Sequence, residues 1–131
     1  MSVVRLGSGG PWEGIVGYSR VVAVGEQAWV SGCTAATVEG TVAHPGDAGG
    51  QTRVALQTVA RALTDAGFDL GDVVRTRIYV TDISRWEEVG RAHGEVFSEI
   101  RPATTMVQVA ALIDPTMLVE IEADAVRGAG A

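Results

Sequence analysis

Near its carboxyl end the chain reads MLVEIEADAV over residues 117–126, with Glu120, Glu122 and Asp124 at every second position. In an extended strand that spacing puts the three carboxylates on one face and Val119, Ile121 and Ala123 on the other. Two readings are open. Three acids on a solvent-facing surface need no chemistry. On a sheet face that borders a cleft between subunits, however, Glu120 would be tuned by burial and could activate a water molecule. The other reactive side chains are isolated. His93 falls in an apolar helical face and is expected to be a hydrogen-bonded structural histidine, with a general base as the alternative. His44, in a Gly-Pro loop, reads as solvated. Cys33 follows Ser31-Gly32 at a strand end and reads as a small buried thiol rather than a nucleophile. Trp12, Trp29 and Trp86 form no stripe with basic residues, so they are expected to anchor a core or an interface rather than stack on bases.

The elements that must position these groups follow from periodicity. Val3 to Leu6 is a short apolar run, followed by the loop chemistry of GSGGPWEG. SRVVAV and QAWVSG, separated by Gly25-Glu26, read as a β-hairpin. The stretch TAATVEGTVAHPGDAGG is small, polar and glycine-rich, and is expected to be a long, mobile connection. From about Asp47 to Ala66 the period becomes helical, with Leu56, Val59, Ala60 and Leu63 on one face, Asp47 as N-cap and Gly67 as C-cap glycine. DVVRTRIYVTD predicts a strand with Val74, Thr76, Ile78 and Val80 on one side and Val73, Arg75, Arg77 and Tyr79 on the other. A second helix is expected to start at Ser84, capped by that side chain with Glu87 three residues on, and to bury Trp86, Val89, His93, Val96, Phe97 and Ile100. Pro102 should end it by driving Arg101 to extended geometry. Strands over 103–110 and 117–126 follow, with Asp114-Pro115 in the turn between them.

This order predicts an α+β fold: a single mixed β-sheet with two helices packed on one face, in one domain spanning residues 1–131. The uncovered sheet face calls for a second copy of the chain, hence a homo-oligomer. One cysteine excludes an internal disulfide and a cysteine-based metal cage. The net charge of -6 opposes broad attraction to phosphate backbones, so no nucleic-acid partner is expected. With no apolar run of about 18 residues and no secretory-type amino terminus, the chain is expected to be soluble, cytoplasmic and without a membrane partner. The phosphate-binding Gly-x-x-x-x-Gly-Lys loop, His-Glu-x-x-His and Gly-x-Ser-x-Gly are all missing, which removes support for most common enzyme classes.

The segment RPATTMVQVAALIDPTMLVEIEA resembles the signature of the RidA family (YjgF-type, reactive intermediate deaminases): Pro-Ala-Arg, an apolar strand, a short turn and a strand containing Glu-Ile. Colinear matches run along nearly the whole chain, at Gly17-Tyr18-Ser19, Val30-Ser31-Gly32, Gln51-Thr52 and Val80-Thr81-Asp82. The resemblance implies a chorismate-mutase-like trimer with clefts between subunits that hydrolyse enamines and imines such as 2-aminoacrylate, without metal or organic cofactor. It implies that Glu120 orients or activates water and that Tyr18, Ser31 and Gly32 line the cleft. The chain departs from the pattern where it matters most. Thr104 stands where the family has the arginine that grips the substrate carboxylate, and Met106 where a cysteine is common. A charge-assisted bidentate contact of that kind contributes about 2 kcal/mol or more. Arg20, two residues after Tyr18, is the substitute that strand parity favours. Three classes are therefore carried forward: a hydrolase or deaminase acting on a small molecule without the usual carboxylate grip, a non-catalytic ligand-binding or regulatory trimer, and, disfavoured by charge, an endoribonuclease.

Overall fold

A computed structural model describes residues 2–131. Six strands, β1 (Val3–Leu6), β2 (Val21–Val24), β3 (Gln27–Cys33), β4 (Val73–Val80), β5 (Ala103–Gln108) and β6 (Val119–Val126), form one sheet in the order β1-β2-β3-β6-β4-β5. Only the β4–β5 pair is parallel. The hairpin predicted around Gly25-Glu26 is present, with Val24 opposite Gln27 and Gly25 at φ +60, a left-handed geometry that glycine adopts without a steric penalty. The last two strands are not partners of each other. β6 inserts between β3 and β4, while β5 is left at the edge with its residues mostly exposed.

Helices α2 (Ala48–Asp65) and α3 (Trp86–Phe97) cover one sheet face, and a four-residue helix, α1 (Glu13–Val16), stands where loop was expected. Asp47 caps α2 by accepting from the Gly50 amide at 2.9 Å. Leu56, Val59 and Leu63 are buried as the period requires, whereas Ala60 is half-buried, and Gly67 follows the helix at φ +85. The start of α3 differs from expectation. Asp82, not Ser84, is the acceptor, bonding the Ser84 amide at 3.0 Å to open a 3-10 turn over Ile83–Arg85, and Trp86 lies 56% exposed rather than in the core. The end differs too: Arg101 adopts φ +55 and returns its amide to the Phe97 carbonyl, so a left-handed residue rather than an extended one precedes Pro102.

The core lies between the helices and the inner sheet face, where Val119, Ile121, Ala123 and Ala125 of β6 meet Ile78 and Val80 of β4 and the buried stripe of α2. Two bulges flank β6. On β4 the register slips between Val73 and Arg75, so Val73 is buried and Val74 is 39% exposed, reversing the simple alternation at that end. On β3 it slips between Val30 and Cys33, and this second bulge shapes the site. The glycine-rich stretch after β3 is not a loose connection: Ala36 bridges Val42, the Thr37 amide donates to Thr41 O at 2.7 Å, and Gly49 and Gly50 already belong to α2.

Candidate functional site

Between Val30 and Cys33 β3 carries two residues, Ser31 and Gly32, opposite the single Glu122 of β6. Val30 and Cys33 therefore both point into the core, and Ser31 and Gly32 are delivered to the outer side beside Glu120. Gly32 is there for space. A Cβ on it would come within 1.9 Å of Glu120 Oε2 and 2.9 Å of its Cγ, so the Glu120 side chain lies directly over the glycine. Glu120 itself is half-buried. Burial pushes its carboxyl above the ordinary glutamate value, Arg20 opposes that rise and Glu122 adds to it.

Arg20 is buried and its donors are committed. Nη1 donates to the carbonyls of Gly32 at 2.7 Å and Ser31 at 3.1 Å, Nη2 to Tyr18 Oη at 3.3 Å, and Nε to Ser8 Oγ at 3.4 Å, with Glu13 Oε2 at 3.9 Å. Arg20 and Tyr18 lie together although residues 18–20 precede the strand, and this guanidinium braces the bulge. Ser31 is also engaged, its hydroxyl donating to Ser19 O at 2.6 Å. Cys33 is buried with its thiol pushed up to about 11 by burial, which leaves it protonated and inert near neutral pH.

Thr104 and Met106 are elsewhere. Thr104 is in register with Thr76, and its Oγ1 lies 2.8 Å from Thr76 Oγ1, on the helix-covered side of the sheet opposite Glu120. Thr76 Oγ1 in turn lies 2.9 Å from His93 Nε2 of α3. His93 thus has the partner its sequence neighbourhood did not reveal, and burial holds its pKa below the ordinary histidine value. One chain therefore brings together Tyr18, Arg20, Ser31, Gly32 and Glu120, and holds Thr104 and Met106 two strands away from Glu120, about 10 Å across the sheet, on the other face. Gln51, fully buried, was legible only as part of a motif. Its amide donates to His44 O and Thr116 O and accepts from Leu118 N, tying two loops to α2.

The sequence profile of a family described as Endoribonuclease L-PSP matches residues 12–127. The chain belongs to this YjgF/RidA family. Among solved structures of the family, Rv2704 from Mycobacterium tuberculosis is 51% identical, with a TM-score of 0.87 over 95% of this chain and 99% of that one. Protein SCO2049 of Streptomyces coelicolor is 40% identical over 98% of this chain and 95% of its own length. The 3-aminoacrylate deaminase RutC of Acinetobacter baylyi is 38% identical over 71% of this chain and 73% of its own. The single mixed sheet with helices on one side is the fold of this family. No helix among the described residues is long and apolar enough to cross a membrane, and no group of three or more His, Cys, Asp or Glu side chains among them could hold a metal ion.

Proposed function

We propose that the chain hydrolyses a small enamine or imine, or a related metabolite, in a cleft between copies of itself, with Glu120 activating the attacking water. The observation that carries this reading is the half-buried Glu120 carboxylate laid over Gly32, its proton affinity raised by burial. Such a group takes a proton from water as the oxygen bonds the imine carbon. It returns that proton to the nitrogen to give a carbinolamine, whose hydroxyl proton then passes by way of the same carboxylate to the nitrogen as the C–N bond breaks and the C=O bond forms, leaving a carbonyl product and an amine or ammonia. Tyr18 Oη accepts from Arg20, which leaves its own O–H available to donate to a substrate. The 38% identity to a protein named as an aminoacrylate deaminase supports the class of reaction.

The separation of the two residue sets supports an oligomer. Thr104 and Met106 can join the Glu120 group only if the β5 edge of one copy meets the Tyr18–Glu120 end of another, and a trimer closes such contacts head to tail. With a threonine hydroxyl in place of a guanidinium, that wall offers a neutral hydrogen bond, and the substrate is one without the carboxylate that the family arginine holds. The non-catalytic and ribonuclease readings have no observation of equal weight: the net charge is -6, and Arg53, Arg77, Arg85, Arg91 and Arg127 are paired with acids.

The test is loss of 2-aminoacrylate, generated from serine by a dehydratase, measured for wild type, Thr104→Arg and Thr104→Arg/Glu120→Gln. Wild type should match the uncatalysed rate, Thr104→Arg should exceed it, and Glu120→Gln should remove about a hundredfold or more of the gain. Because the base must be ionised, the rate should fall as pH drops through a pKa above the ordinary glutamate range. An arginine variant whose activity is indifferent to Glu120→Gln would refute the mechanism. Wild type that is already active would overturn the substrate reading.

A further inference from the structure

α2 has a second face. Val54, Gln57, Thr58, Arg61 and Asp65 recur at helical spacing and line a cavity of about 540 Å³ on the side away from the sheet core. Its other walls are the loop through Leu6, Ser8, Pro11 and Trp12, the tongue through Ala36 and Val38, and Tyr18 and Arg20 at one end. That volume is in the range of small-molecule sites. The walls are built rather than accidental. Glu13 holds the loop by accepting from Ser8 N, Ser8 Oγ and Gly10 N, and the tongue is pinned by the Thr37–Thr41 bonds. Glu120 does not line this cavity.

Charge marks the space. All ten basic residues of the chain are arginines, and among the described residues only Arg5, Arg61 and Arg75 lack an ion pair or hydrogen bond from the guanidinium. Of these, Arg61 alone faces the cavity, and Asp65 beside it is likewise without a partner. The two do not satisfy each other although they are four residues apart. Arg-before-Asp is the weaker orientation for such a pair, whereas the acid-first pair Glu87–Arg91 on α3 closes to 2.8 Å. One turn of helix therefore presents a cation and an anion with Cβ atoms about 5–6 Å apart, next to the apolar surface of Trp12, Pro11 and Val38.

We infer that this cavity binds a free α-amino acid with an apolar side chain, its carboxylate on Arg61, its ammonium on Asp65 and its side chain against the Trp12–Val38 wall. Both charged groups of such a ligand sit on one carbon, which suits two opposite charges one turn apart, and a peptide or a simple acid supplies only one of them there. The head-group contacts involve neither Glu120 nor Tyr18, although Tyr18 and Arg20 border both this cavity and the Glu120 group.

Isothermal titration of the full chain with L-leucine, 4-methylpentanoate and L-leucinamide tests it. L-Leucine should bind more tightly than either analogue that lacks one charge. Arg61→Gln should weaken L-leucine about tenfold, and Arg53→Gln, on the Glu95-paired side of the same helix, should leave it unchanged. Arg61 and Arg53 are both exposed, and circular dichroism will check that each variant is folded. No heat with L-leucine, equal binding of 4-methylpentanoate, or indifference to Arg61→Gln would each overturn the assignment.

Discussion

The outer face of β6 carries two acidic regions that differ in a single respect. At one end Glu122 accepts from Tyr79 Oη at 2.7 Å and lies 3.7 Å from Arg77 Nη1, which also donates to Asp124 at 3.2 Å. At the other end, one residue pair along, Glu120 lies over Gly32 with burial as the main influence on its proton. The first region transmits its charge to a neighbour: the Glu122 hydrogen bond is the chief reason the Tyr79 phenol is raised. In the second, Glu120 has no hydrogen-bond or ion-pair partner within the described chain, and Arg20 offsets only part of the effect of burial. Identical side chains on one strand face thus acquire different chemistry from what the adjacent strands place beside them.

Filling the space above Gly32 should break the contrast most severely. Gly32→Ala should cost about a hundredfold in any Glu120-dependent turnover, because the new methyl must displace the carboxylate. Stability should fall by only about 1–3 kcal/mol, since a side chain rather than backbone must move. A variant that keeps wild-type turnover would separate Glu120 from the chemistry.

The same logic governs the covered face, where a donor is present. Thr76→Val should leave His93 Nε2 without its partner and cost about 1–3 kcal/mol in urea unfolding, with Thr76→Ser restoring most of the loss. The native pKa of His93 is depressed, so the unfolded state takes up a proton first. Stability should hold above the ordinary histidine value of 6.5 and decline as pH falls from there through the native pKa. A flat profile between pH 7.5 and 5 would show that His93 does not carry this linkage.

The smallest effect is a pair of opposite signs. Glu120 is raised, so the native state holds its proton more readily, and the contribution to stability present at low pH is lost as pH rises through the raised pKa. At pH 7 Glu120→Gln should therefore raise the unfolding free energy and with it the melting temperature, while Glu122→Gln should lower both through the weakened Tyr79 and Arg77 contacts, each stability change being about 1 kcal/mol or less. Two shifts of the same sign would erase the distinction between the regions.

Much of this was legible from local pattern. The two-residue hairpin, the Asp47 cap, the buried stripe of α2 and the alternation that puts Glu120, Glu122 and Asp124 together depend on neighbours within a few residues. The misreadings have physical causes. Ser84 and Asp82 both have capping side chains, and only the chain's exit from β4 decides that Asp82 is the one positioned to accept. Strand parity over 18–20, which lie outside the strand, could not show that the Arg20 guanidinium is held by the carbonyls of the bulge. The bulges themselves are invisible in the pattern, because an extra residue changes which face a side chain takes without changing its type.

The sequence by itself determined the six strands and two long helices, the family, and the face of β6 on which the acids stand, since helical and strand periods are local properties of the chain. Tertiary structure alone decided that β6 runs between β3 and β4, that Gly32 lies beneath Glu120, that Thr104 meets Thr76 and His93 instead of Glu120, and that Arg61 and Asp65 share a cavity. Those contacts join residues as far apart as 32 and 120, and a pairing over such distances is selected by packing the whole core rather than by anything written between the two positions.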